Sequence, residues 1–501
     1  MMASESPQAE RATDLSMFRL ASTVTIISTA VPRITHDFHS LNDVGWYGSA
    51  FFLTMSVFQT IWGKLYKSSV STNSTGFIVG RAIAGLGGAG VIGGTYVILA
   101  YLVSPDKIPI FYGLNGIIFT LASVVGPLVG GAFTSNVAWR WCFYINLPIG
   151  GFVMVVLLLA LQLPSPAQST PLSVRQFLWQ LDLPGCILIL GALVCYLLVL
   201  QSGGITKPWD SAQSIGLLVG WVLLTAAFAL VEWYQGEEAL LASHHLRSHG
   251  ILTCCIFAFF LNAANYIRIY YLPVYFQAIH NDSPERSGIL LLAYIVPTSV
   301  FTLVAGALLG KVGYYQPFLL LGAAIVTIGS GLLWTLNVDS SSAKSVGYQI
   351  VVGVGDGICV QVPITAVQAF VELKDLPTVT ALVLFFQLGS GVIGVAAGES
   401  VFSNRLIQSL PHYAPGITGK EVLDVGASQL EQTFDGDTLL GVKKAYLVGI
   451  KDAWILTLAF CGAAFVVSAV APRVSILRKT EQEAGEANPH QQQEEEKGNE
   501  V

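Results

Sequence analysis

The chain has 501 residues, of which 53% are hydrophobic and 11% charged, with a mean hydropathy of +0.63 and a formal net charge of −6. A soluble globular protein carries about 25% charged residues, so this composition excludes a soluble fold and indicates a polytopic membrane protein. The acidic balance comes partly from the tail, and no basic face suited to nucleic acid is visible.

A hydrocarbon core of ~30 Å takes ~20 apolar residues in a helix. Segments that meet or nearly meet this rule run over 15–31, 44–63, 76–103, 108–133, 142–163, 183–202, 213–233, 250–279, 287–310, 315–337, 345–370, 377–402 and 452–471. Residues 1–14 form a polar N-terminal segment expected in the cytoplasm, and no cleavable signal peptide is expected. The first apolar segment is the poorest, because it holds Arg19 and the hydroxyls of Ser22, Thr23, Thr25, Ser28 and Thr29. An Arg at a helix centre costs roughly 2.5–3.5 kcal/mol, less where it can snorkel. Residues 403–451 read as a long outer loop, and residues 480–501 as an acidic, low-complexity, disordered cytoplasmic tail.

Sidedness conflicts at one place. Arg473, Arg478 and Lys479 put the C-terminal side of the last span in the cytoplasm, where Lys and Arg collect. Thirteen spans then cannot leave both termini there. In loop 64–75, Lys64 and Lys67 argue for the cytoplasm, whereas Asn73-Ser74-Thr75 is a glycosylation sequon of the opposite face. The second sequon, Asn281-Asp282-Ser283, falls outside, although Pro284 makes it a poor acceptor.

Several residues suggest work inside the membrane. Gly113, Gly126, Pro127, Gly130 and Gly131 combine a helix-bending proline with glycines that admit a neighbouring helix, which suits a pivot. Intramembrane charge defaults to function. Arg81 stays protonated and would bias a carboxylate or hold an anion, or would snorkel. Asp356, between glycines in VGVGDGICV, could carry a proton between two exposures, or be a tolerated charge. Asn262, Asn265 and Tyr266 share one helix face with Ile269. With Gln361, Gln368 and Gln387 they are the candidates for a polar substrate cavity; the alternative is interhelical hydrogen bonding. Arg268 reads as lying off that face.

Other chemistry is not suggested. The seven cysteines lie in or beside apolar segments and read as small buried hydrophobes. His244, His245 and His249 lack matched ligand spacing, so no metal site is expected. No phosphate-cradling G-x-x-x-x-G-K-[ST] loop and no Ser-His-Asp arrangement stands out, so neither ATP-driven transport nor an enzyme is expected, and no cofactor.

Gly113-x8-Ala122-x3-Gly126-Pro127-x2-Gly130-Gly131 resembles the antiporter motif of the major facilitator superfamily, with Ala for one Gly. Arg81-x3-Gly85-x-Gly87-Gly88-Ala89 resembles its fourth-helix motif. The run Trp139 to Gly151 is similar to the loop and sixth helix of the fourteen-span drug:proton antiporter branch, and NYIRIYYLPVYFQAI and TALVLFFQ resemble fungal toxin and multidrug pumps. The resemblance implies an all-α major facilitator fold of two six-helix halves, here 15–163 and 250–471, with two extra central spans in 183–233. It implies proton-coupled efflux of a small amphipathic organic molecule such as a toxin, drug or secondary metabolite. Its partners would be that substrate, protons and the lipid bilayer, and the protein would be monomeric. The plasma membrane is the expected location, the vacuolar membrane the second. In the family the Arg matching Arg81 is implicated in proton transfer.

Two departures stand out. GKLYK resembles the end of the family's second helix and NSTGFIVGRAIAGLGGAG the start of its fourth, so the third helix is missing at Lys67–Thr72. That loss accounts for the two conflicting labels on loop 64–75. The first helix keeps its Thr, Ala and Pro but lacks the family's Asp. A degenerate or receptor-like, non-transporting relative is therefore the alternative, as is a gene reading that omits a span.

Overall fold

The computed structural model describes residues 182–475 apart from 237, 238, 242, 369 and 372–374. It also describes residues 88, 118, 122, 125, 126, 129, 130, 132, 133, 141–145 and 148–152. The readings on the first helix, the 64–75 loop with Asn73, the third-helix gap, Arg81, Gly113, Pro127, Gly131 and the acidic tail lie outside these residues.

Among the described residues the chain is helical, with no strand beyond two isolated bridges. Its main helices are α1 (Leu183–Ser202), α2 (Ala212–Gln235), α3 (His249–His280), α4 (Pro284–Val312), α5 (Gln316–Trp334) and α6 (Ser342–Cys359). They continue with α7 (Val362–Gln368), α8 (Leu376–Tyr413), the short α9 (Gly419–Val425) and α10 (Leu430–Thr433), and α11 (Gly436–Val470). Among the described residues, eight helical stretches are long and apolar enough to cross a bilayer, α6 and α7 counting as one.

Local chemistry sets the ends. Asp182 caps α1, its Oδ1 accepting from Gly185 N at 2.8 Å while Oδ2 accepts from Leu240 N at 3.1 Å. Pro184 occupies the first turn, where its missing N–H costs nothing. Ser211, Ser283 and Ser341 cap α2, α4 and α6 in the same way. Lipid explains the sides. Val222, Leu223 and Leu230 of α2 are exposed, because a helix apolar all round needs an apolar solvent. Bridging bonds hold α1 to α8: Tyr196 Oη donates to Ile393 O at 3.1 Å and Asn404 Nδ2 to Gly203 O at 3.1 Å.

The packed centre is α3, which lies against both α8 and α11, with α6 gripped between α4 and α5. Glycines make the second contact possible. A Cβ on Gly353 would stand 2.4 Å from Tyr294 O and one on Gly357 2.3 Å from Thr298 O, both on α4. One on Gly355 would stand 2.6 Å from Val326 N on α5. Alternate glycines of VGVGDG thus bring two backbones against α6 from different sides, as small residues do in membrane bundles.

Two element boundaries are corrected. The 345–370 span is interrupted after Cys359 and resumes at Val362, just before Pro363, whose ring and missing N–H break a continuous helix. The 403–451 outer loop is a loop only in part: α8 continues to Tyr413 and α11 begins at Gly436. Hydropathy drops there while packing does not. Leu406 and Leu410 of α8 and Val442 and Tyr446 of α11 are buried, and a Cβ on Gly441 would meet Tyr413 O. The guanidinium of Arg405 pairs with Asp452 across the two helices.

Candidate functional site: a buried ion pair in a five-helix node

The segment carrying Asp356 is close-packed through its glycines, so the side chain has few places to go. It meets Arg268 of α3. Arg268 Nη2 lies 2.5 Å from Asp356 Oδ2, and both side chains are fully buried. Arg268 Nη1 also reaches Ser330 Oγ on α5 at 3.4 Å and Cys461 Sγ on α11 at 3.3 Å. From α4, the Tyr294 hydroxyl lies 2.7 Å from the same Asp356 oxygen and 2.6 Å from Asn265 Oδ1. The guanidinium carbon stands 5.9 Å from the centre of the Tyr294 ring. Helices α3, α4, α5, α6 and α11 therefore converge on one charge pair. Asp356 Oδ1 and Arg268 Nε are buried without a hydrogen-bond partner.

Two physical points follow. An ion pair in low dielectric survives only when both members are present, since removing one leaves an uncompensated charge at a cost of about 3–5 kcal/mol. A tyrosine hydroxyl carries one proton, so Tyr294 cannot donate to Asp356 and to Asn265 Oδ1 together. The pair of short contacts describes two alternative donations, or one donation with the Asn265 amide turned to present its NH2.

The sequence-predicted residues divide. Tyr294 joins Asp356 and Asn265 in this node, and Arg268 enters it through its bond to Asp356. Asn262 and Gln387 meet in a neighbouring contact, Gln387 Nε2 donating to Asn262 Oδ1 at 3.3 Å, while Asn262 Nδ2 donates to Ala258 O. Gln368 instead donates to Thr380 Oγ1 at 3.1 Å, and Gln361 and Tyr266 are partly exposed. Gly126 and Gly130 are helical and buried. Asn281 ends α3 with φ 55° and its amide nitrogen lies 2.5 Å from Glu431 Oε2. Tyr294, Ser330 and Cys461 were not legible as site residues, because each sits in an apolar run that reads as ordinary span.

No group of three potential metal ligands occurs among the described residues. His244 and His245 stack on each other just outside the spans, and burial, with the His244 charge, pushes His245 below the usual imidazole range.

Long apolar helices packed through glycines around a buried charge pair define a polytopic membrane protein. The Major Facilitator Superfamily profile matches residues 65–395, and the chain belongs to that superfamily. It is 40% identical over 468 residues to a dehydrocurvularin exporter of Alternaria cinerariae, covering 89% of this chain and 81% of that protein. It is 39% identical to the efflux pump notK of an Aspergillus species, with 90% and 84% covered. It is 38% identical to a probable efflux pump, gsfJ, of Penicillium aethiopicum, with 90% and 85% covered. Among solved structures, a bacterial homologue of the human lysosomal transporter Spinster superposes with a TM-score of 0.60 at 13% identity, covering 93% of this chain and 98% of that one. That likeness concerns the fold alone.

Proposed function

We propose that the chain exports a small amphipathic organic molecule, such as a secondary metabolite, toxin or drug, in exchange for protons. The observation that carries this reading is the buried Arg268–Asp356 pair in the membrane interior of a chain whose relatives are named exporters and efflux pumps. The pair supports this reading despite the missing first-helix Asp, because it places a buried carboxylate in the other half. Asp356 carries the proton, Arg81 acts electrostatically, and Gly113, Gly126, Pro127, Gly130 and Gly131 serve as the pivot. Asn262, Asn265, Tyr266, Gln361, Gln368 and Gln387 line the substrate cavity. The protein works as a monomer in the plasma membrane, or in the vacuolar membrane.

Expression in a sensitised yeast tests the reading. Dehydrocurvularin, the compound in the name of one relative, is the first to test, followed by a panel of amphipathic aromatic toxins. Cells carrying the chain should retain less of at least one compound than empty-vector cells, and a protonophore should erase the difference. Surface-expressed protein with no effect on any compound would favour the non-transporting alternative.

A further inference from the structure

The one-proton, two-acceptor geometry at Tyr294 has a direct use. Asp356 is fully buried and pairs with Arg268, whereas Asn265 is partly exposed. The Tyr294 hydroxyl is the atom in contact with both, 2.7 Å from Asp356 Oδ2 and 2.6 Å from Asn265 Oδ1. We propose that Tyr294 is the proton relay between the partly exposed Asn265 side and buried Asp356, a step that rests on the proton-coupled reading above.

The transfer balances without any other reactant. In the resting state the hydroxyl proton points at the Asp356 carboxylate. A proton arriving from the Asn265 side binds the phenol oxygen, and the hydroxyl's original proton passes to Asp356 Oδ2. Tyr294 is left neutral, its new proton pointing at Asn265 Oδ1. The two short contacts are the donations before and after transfer. Release runs the same path backward, or leaves from Asp356 once the helices have moved.

The surrounding groups suit a relay. Facing Asp356 are Arg268 from α3 and Tyr294 from α4, with Cys461 of α11 and Ser330 of α5 held on the far side by Arg268. Cys359, on the same helix as Asp356, donates to Gly355 O at 3.3 Å. Tyr294 alone among them touches both the carboxylate and a partly exposed group. Its backbone is fixed by the close approach of Gly353 to Tyr294 O, so the hydroxyl is aimed by packing rather than by a flexible loop.

The test follows the proton itself and needs no knowledge of the exported compound. Purified full-length protein is given a pH jump, and proton uptake is followed with a pH-indicating dye. The double variant Arg268→Gln with Asp356→Asn supplies the baseline, since it removes the carboxylate without leaving an unpaired charge. The wild-type signal above that baseline belongs to the node. Tyr294→Phe, which keeps the ring, should leave the amplitude of that signal and slow it about 100-fold. Asn265→Leu, which removes the outer acceptor, should slow it as well. A Tyr294→Phe rate equal to wild type, or a wild-type signal equal to the baseline, would overturn the relay. A loss of amplitude with unchanged rate would mark Tyr294 as structural only and also overturn it. Failure of export in yeast with the relay kinetics intact would instead count against the functional reading, so the two can fail separately.

Discussion

Replacing Asp356 alone by Asn is expected to destabilise the protein by about 3–5 kcal/mol, because it strands the Arg268 guanidinium, fully buried, against a neutral amide. Arg268→Gln alone should cost a similar amount by stranding the carboxylate. The double replacement should recover part of the loss, since it leaves no unpaired charge in the bundle. Thermal unfolding of the four purified proteins gives the complete double-mutant cycle. Additive losses would mean that the two groups do not depend on each other. The cycle also separates stability from transport, because the double variant is expected to fold and yet to lack proton drive.

The second large effect lies in the glycines beside Asp356. Gly357→Ala places a Cβ 2.3 Å from Thr298 O and 2.8 Å from Phe301 Cβ, and Gly353→Ala places one 2.4 Å from Tyr294 O. Backbone oxygens cannot step aside like a side-chain tip, so α4 must move away from α6. Overpacking of this kind costs typically 1–3 kcal/mol, occasionally more. Moving α4 also carries Tyr294 away from Asp356, so both alanine variants should lose thermal stability and slow the proton signal together. Gly347→Ala is the control on the same helix: nothing lies within 4 Å of its Cβ, and Ala gains about 0.5–1 kcal/mol over Gly in a helix interior. Equal behaviour of Gly347→Ala and Gly357→Ala in thermal unfolding would contradict the packing described for α6.

Much of the helical order was legible in the sequence, because a bilayer imposes a length on apolar segments. The run predicted at 183–202 is α1 to the residue, and 250–279 differs from α3 by one residue at each end. Misplaced boundaries share a cause: hydropathy measures the membrane and not the helix. Helices α8 and α11 stay paired beyond the apolar window, through Leu406, Leu410, Val442 and Tyr446, and so shorten the loop expected over 403–451. At Pro363 the reverse holds, since apolar character continues where the backbone pattern does not.

The node was legible only in part. Asp356 stood out as a carboxylate among glycines in an apolar span, and Asn265 as one of several polar groups on a helix face. Pairing was not legible. Arg268 and Asp356 lie 88 residues apart on helices whose neighbourhood no single sequence encodes. Tyr294 gave no signal, because a tyrosine in an apolar run looks like packing until its hydroxyl is seen between two oxygens. The motifs that carried the family resemblance, Arg81 and the Gly113 to Gly131 pivot, lie mostly outside the described residues, so the structure adds a second charged centre rather than testing the first.

The proposed exchange of an organic molecule for protons runs through the Arg268–Asp356 node. Its most direct test is reconstitution of the full chain into liposomes that enclose a pH-indicating dye, with the compound exported in yeast added to one side. Entry of the compound should drive protons the opposite way, and the Arg268→Gln, Asp356→Asn double variant should show no proton movement. Movement of the compound without protons in the wild type, or proton movement undiminished in the double variant, would contradict it.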